Sequence, residues 1–233
     1  MHEKIRYTRK DLKSPDEFIT TFGRVVAWGK GNRLLVLGSG LALAALVALV
    51  LGTRAYFQWK ENKAARELWP FLNQAGELMQ APYNADPATV AALEKTLQAR
   101  IDAYPDTRAT VYARYYMGGL AFLRGDYDLS IKQYRAALAG GKDPGVMKYL
   151  LREGLARSLE AKGDYTGAAA AYRDAAAIGE ADMKAQSRLG EARTLDLAGK
   201  KAEAVALYNQ VLRESPESRW RELIRIRLAQ MGG

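Results

Sequence analysis

Asp126 and Asp128 are the nearest thing to an acid–base pair in this sequence of 233 residues. Acid–base catalysis needs a second titratable group held opposite the first. None is available: His2 is the single histidine, and there is no cysteine. Those two facts remove a Ser-His-Asp triad, a thiolate nucleophile, a His or Cys metal cluster and a disulfide. The inventory therefore calls for no catalytic residue, no cofactor and no metal. What remains is the chemistry of binding. Aromatic, aliphatic and guanidinium side chains recur at helical spacing as Tyr112, Tyr115, Phe122 and Leu123, followed by Arg157 and Arg193. Rings that offer amphipathic area beside a planar guanidinium suit a protein segment carrying apolar residues and a carboxylate. The competing outcome is that the rings are core and the arginines solvated, and the elements that hold them must decide.

Charge divides the chain into three zones. Residues 1–33 carry eight basic and four acidic side chains, residues 34–53 carry none, and residues 54–233 carry 27 and 22. The net charge of +9 is thus not gathered into the basic stripe of a nucleic-acid binder. Basic and acidic residues instead interleave, as in Arg152-Glu153 and Arg221-Glu222.

The middle zone reads LLVLGSGLALAALVALVLGT, with Ser39 and Thr53 its only polar side chains. As a helix it would reach about 30 Å, the hydrocarbon thickness of a bilayer. A buried core helix would show a polar stripe, and none exists. A cleaved leader would need a shorter preceding segment and a small-residue cleavage site. A transmembrane helix over 34–53 is the expectation, flanked by Arg33 and Arg54 and by Trp28, Tyr56, Phe57 and Trp59 at headgroup level. Gly40, Ala44, Ala48 and Gly52 recur every four residues, a ladder that would let a second membrane helix approach closely. The whole N-terminal tail holds eight basic residues against four in 54–66, which favours a cytoplasmic N-terminus. Counting only residues near the span gives three against four and removes the bias.

Before the span, Ser14-Pro15-Asp16-Glu17 has the form of a helix cap. Phe18, Ile19, Phe22, Val25 and Val26 then fall on one face, so a short amphipathic helix on the membrane surface is expected, behind a basic disordered stretch over 1–13.

Beyond the span the sequence repeats itself. Gly125-Asp126-Tyr127, Gly163-Asp164-Tyr165 and Gly199-Lys200-Lys201 recur at intervals of 38 and 36 residues. Each is followed by a small residue (Ser130, Ala168, Ala204), then a tyrosine (Tyr134, Tyr172, Tyr208), and preceded by Gly118, Ala156 or Ala192. Small residues let two antiparallel helices approach, the glycine turns the chain, and the tyrosine plugs the gap to the next hairpin. Such hairpins bury an apolar face only by stacking.

At these positions the sequence resembles the tetratricopeptide repeat family, with Pro216 at the repeat end. It departs from that family where Arg114, Arg152 and Arg188 replace the tryptophan of the first helix, and longer turns such as Gly140–Pro144 absorb the extra length. The clamp that some family members use for carboxylates is not matched, since Gly119, Gly154, Gln186 and Gly190 stand in its place. Upstream, a helix from Asp86-Pro87 to Tyr104 would place Leu93, Leu97 and Ile101 in the core. Its partner would be 60–80, kinked or restarted at Pro70. Ser218 to Met231 forms a terminal cap, with Trp220, Leu223, Ile224 and Leu228 inward. The expected fold class is all-α: a tail (1–33), a single transmembrane helix (34–53) and an α-solenoid of repeat-like hairpins with a capping helix (54–233).

The whole layout is similar to the ancillary subunit family of the bacterial SecYEG translocon. That resemblance implies a single-pass protein of the inner membrane, with a cytoplasmic N-terminus and periplasmic repeats. Its implied partners are translocon subunits, a periplasmic prolyl isomerase or chaperone, and unfolded client polypeptides, with no nucleic acid. A cytosol-facing scaffold of another complex is the alternative.

Overall fold

The computed structural model describes residues 17–80, 86–140, 145–214 and 219–232, with side chains from residue 21 onward. The expected cap at Ser14–Asp16, the side chains of Phe18 and Ile19, the stretch 141–144 and Pro216 lie outside the described residues. Among those described, every regular element is a helix: α1 (Glu17–Gly31), α2 (Arg33–Gln80), α3 (Pro87–Ala103), α4 (Arg108–Leu123), α5 (Tyr127–Ala139), α6 (Val146–Lys162), α7 (Tyr165–Ala176), α8 (Ala181–Leu197), α9 (Lys201–Glu214) and α10 (Arg221–Gln230). Two compact units divide between Phe57 and Gln58, within α2.

In the first unit, helical hydrogen bonding carries across the junction at Asn32. Its N–H donates to the Trp28 carbonyl at 2.9 Å, and its carbonyl accepts from Val36 at 3.0 Å. Every residue from Leu34 to Thr53 is exposed. An 18-residue stretch of α2 has a mean hydropathy of 2.7 with none of it buried, long and apolar enough to cross a membrane. Its two hydroxyls are satisfied within the helix: Ser39 donates to Val36, and Thr53 to Leu49 and Val50. Gly40, Ala44, Ala48 and Gly52 are all exposed.

In the second unit, α2 continues through Pro70 to Gln80 without restarting. A mid-helix proline forfeits a hydrogen bond and crowds the preceding turn. Here Pro70 lies on the exposed side. Ala64, Leu68, Leu72 and Ala75 on the other side are buried with Leu93, Leu97 and Ile101 of α3 and Ala113, Met117 and Leu120 of α4. That burial outweighs the local cost. α3 begins as expected, with the Asp86 carboxylate accepting from the Thr89 N–H at 2.9 Å and Pro87 in the first turn.

Three hairpins follow: α4/α5, α6/α7 and α8/α9. Gly125, Gly163 and Gly199 turn the chain with φ of +80°, +90° and +80°, a region that side chains disfavour. Asp126 and Asp164 cap the second helices by accepting from Leu129 and Gly167. Asp128 pairs with Lys162, so the carboxylate pair is spent on a cap and a surface ion pair.

The tyrosines plug the seams. A Cβ added at Gly118 would lie 2.9 Å from the Tyr134 ring, and one at Gly154 of the next hairpin 2.5 Å. Tyr134 therefore sits in a slot that two glycines open. Tyr172 stands in the same relation to Gly190, at 2.6 Å. An arginine of each first helix ties its hairpin to itself: Arg114 donates to Gln133, Arg152 to the Asp174 carbonyl, and Arg188 pairs with Glu214.

The last helix differs from expectation in one respect. Ile224 is fully buried in a cluster with Tyr208 and Val211, and Trp220 and Leu228 pack against it. Leu223 is instead 45% exposed and Ile226 49%. On a helix that packs through Ile224, Leu228 and Met231, Leu223 falls on another face.

Candidate functional site

A groove of about 460 Å3 runs over the first helices of the array. Three glycines and the chain's aromatic spacing produce it. Gly118 and Gly154 admit the Tyr134 ring, which makes edge contact with Tyr115 at 6.2 Å between centroids. Tyr115 in turn meets Tyr116 edge-on at 5.3 Å. On the next turns of α4, Phe122 leans on Tyr127 at 5.6 Å, and Leu123 is 46% exposed. Gly119 leaves room for the Met79 thioether, whose methyl would lie 2.5 Å from an added Cβ. The groove thus opens with an aromatic wall and a flexible methionine lip.

Its other end is polar. Glu153 of α6 is buried and accepts from Arg157 at 2.7 Å and from the Gln186 amide of α8. Nearby, the Tyr149 hydroxyl donates to the Met183 carbonyl at 3.1 Å, and burial pushes its pKa up to about 12. Exposure separates the charges within this rung: the Glu153 side chain is 8% exposed and that of Arg157 55%. The carboxylate is sealed inward and the guanidinium faces out, so a ligand meets positive charge although the pair is neutral.

A second rung repeats the device. Arg193 donates two hydrogen bonds of 2.7 Å to Glu160, which also accepts from the Tyr172 hydroxyl at 2.9 Å. Burial pushes Glu160 upward, but the bonds from Arg193 and Tyr172 outweigh it and hold the carboxyl below the usual range. Burial also drives the Tyr134 and Tyr172 hydroxyls well above the usual range. Both remain neutral donors or acceptors at any physiological pH.

Of the six expected site residues, Tyr115, Phe122, Leu123 and Arg157 line the groove together. Tyr112 does not; it packs half-buried against two core clusters. Arg193 lies outside the groove lining and is held by Glu160. Sequence reasoning missed Met79, Tyr149, Glu153 and Met183, and assigned Gln186 only as a departure from the family's clamp. The spacing of Glu153 and Arg157, four residues apart on a helix, was the signal available for one of them. The others depend on which helices become neighbours.

A tetratricopeptide repeat model matches residues 153–219. Those residues begin at Glu153 in α6 and end just before α10. They include the polar end of the groove (Glu153, Arg157, Met183 and Gln186) and exclude its aromatic wall. Tetratricopeptide repeats are protein-interaction modules, and the groove lies where a repeat array presents its first helices. No curated protein matches the chain.

Proposed function

We propose that this chain is a membrane-anchored interaction protein whose groove receives a polypeptide segment with a large apolar side chain next to a carboxylate. The observation that carries the proposal is the groove itself, an aromatic wall running into a guanidinium whose own carboxylate partner is buried. The apolar side chain sits against Tyr115, Phe122 and Leu123, with Met79 moving to fit it. Arg157 meets the carboxylate, and Glu153 with Gln186 holds the guanidinium in place. Anchoring rests on the uncharged, exposed stretch 34–53. Gly40, Ala44, Ala48 and Gly52 supply a close-contact face for another membrane helix.

On its resemblance in layout, the chain acts as an accessory subunit at the protein-export translocon or in envelope assembly. Its N-terminus is cytoplasmic and its repeats are periplasmic. The full-length protein, solubilised from membranes in detergent, is expected to co-purify with translocon subunits by mass spectrometry. Tyr115→Ala or Arg157→Glu lowers that recovery while helix content stays unchanged. Consistent recovery of an unrelated complex sinks the translocon assignment, and recovery unaffected by either substitution sinks the groove. Protease digestion of residues 54–233 in intact cells lacking an outer barrier, but not from the cytosolic side, tests the orientation.

A further inference from the structure

Terminal helices of repeat arrays carry a polar outer face for solubility. α10 does not. Leu223 and Ile226, three residues apart and therefore on one face, are 45% and 49% exposed. The repeat register identifies that face. In α8, Gly190 is the residue that meets the tyrosine of the preceding hairpin, Tyr172 of α7. In α10, Ile224 is the fully buried residue in the cluster that holds Tyr208 of the preceding α9. Counting from these two anchors, Leu223 and Ile226 fall at the positions of Leu189 and Ala192 in α8. Those two residues are buried in a cluster with Ala204, Tyr208 and Val211 of α9, the second helix of the same hairpin. By this count α10 takes the sequence position of a first helix, and among the described residues no second helix covers its apolar face.

Charge indicates what kind of helix fits. Arg219 lies in the turn just before α10, and Arg227 lies one helical turn after Leu223 on the same side. Arg221 and Arg225 lie beyond, against a single acidic residue, Glu222. Arg219 stacks over the Trp220 ring at 4.7 Å, while the ionic contacts on the helix itself are marginal: Arg225 approaches Glu222 at 4.0 Å, and Arg227 donates to Gln230 at 3.3 Å. In the three complete hairpins, by contrast, an arginine of the first helix reaches an oxygen of the second, at Gln133, Asp174 or Glu214.

We infer that α10 is a docking site for an amphipathic helix of a partner protein, apolar at its centre and acidic at both ends, which packs on the face of Leu223 and Ile226. The site is separate from the groove, so the two succeed or fail independently.

The test uses the full-length protein in detergent and a fluorescent helical peptide of about 14 residues, the length of α9, with a Leu face and Glu flanks. A matched peptide carrying Lys in place of Glu is the control. The Glu peptide is expected to bind, with the Lys peptide about tenfold weaker or worse. Leu223→Ser with Ile226→Ser weakens the Glu peptide about tenfold, whereas Arg219→Glu with Arg227→Glu reverses the preference. Both pairs alter exposed positions, and circular dichroism verifies unchanged helix content. Tyr115→Ala leaves peptide binding as it is. No saturation at about 1 mM peptide, or saturation insensitive to Leu223 and Ile226, overturns the inference. So does self-association that Leu223→Ser abolishes, since the face would then belong to a second copy. Adsorption to vesicles of anionic phospholipid that depends on the same arginines and exceeds peptide binding also overturns it.

Discussion

The seam between the first two hairpins and the seam between the second and third are built from one motif and differ in what they do. At the first, Tyr134 is clasped by Gly118 and Gly154, and its neighbours are rings: Tyr115 at the groove, then Tyr116. At the second, Tyr172 is clasped by Gly190, but its hydroxyl donates to Glu160, which Arg193 holds from the next hairpin. Glu153 and Gln186 add another polar strut between α6 and α8. The first seam leaves apolar surface open for a ligand, whereas the second spends its side chains on joining hairpins. A conserved backbone arrangement within one chain can therefore carry either a binding surface or a brace, depending on the residues one turn away from the shared tyrosine.

The largest test of this contrast removes the tyrosines. Tyr134→Ala and Tyr172→Ala each empty a slot lined by helix backbone and should cost about 3–5 kcal/mol in urea denaturation. If the seams differ as described, Tyr134→Phe is nearly neutral, while Tyr172→Phe additionally loses the bond to Glu160, by about 1 kcal/mol. Equal costs for the two phenylalanine variants would erase the distinction.

Filling the slots comes next. Gly154→Ala and Gly190→Ala bring a methyl to within 2.5 and 2.6 Å of rings that cannot retreat easily, at about 1–3 kcal/mol each. Gly119→Ala meets only the tip of Met79, which can swing aside, so its thermal midpoint should stay close to that of the unaltered protein. A Gly119→Ala loss as large as that of Gly154→Ala would mean that Met79 is fixed rather than a movable lip.

The pH profile separates the second seam from the α3/α4 contact upstream. Glu160 has a folded pKa below its unfolded value, so its contribution is present above the ordinary Glu range and is lost as pH falls through the folded pKa. Glu94 behaves in the opposite sense. Burial raises its pKa against the pull of Arg124, and one of its oxygens is buried with no hydrogen-bond partner. Its ionisation opposes folding as pH rises through the folded pKa. Acid titration of the thermal midpoint should therefore fall less steeply in Glu160→Gln and more steeply in Glu94→Gln than in the parent. Parallel profiles for all three would contradict the assignment.

Much of this was legible in the chain of residues. The Gly-Asp-Tyr turns, the Asp86-Pro87 helix start and the small residues opposite each tyrosine follow from local rules: φ preference, capping and the helical period. At Pro70 the helix does not restart, one of the two outcomes expected there, because the proline's cost is local while its compensation is the burial of Leu68 and Leu72 against α3 and α4. Leu223 was misplaced because a helix with apolar residues on adjoining faces does not say which face its neighbour takes. At the site, the aromatic wall could be found from spacing along α4, but the Glu153–Gln186 strut joins residues 33 positions apart and has no periodic signature.

By itself, then, the sequence determined an all-helical chain with a repeating hairpin and one uncharged apolar stretch, because helix periodicity, turn glycines and absence of charge are properties of neighbouring residues. Only the tertiary structure decided that four of six binding candidates share a groove, that Tyr112 and Arg193 do not, and that α10 leaves an apolar face open. Those outcomes turn on how closely helices approach, which glycines such as Gly154 set by admitting a ring from another element.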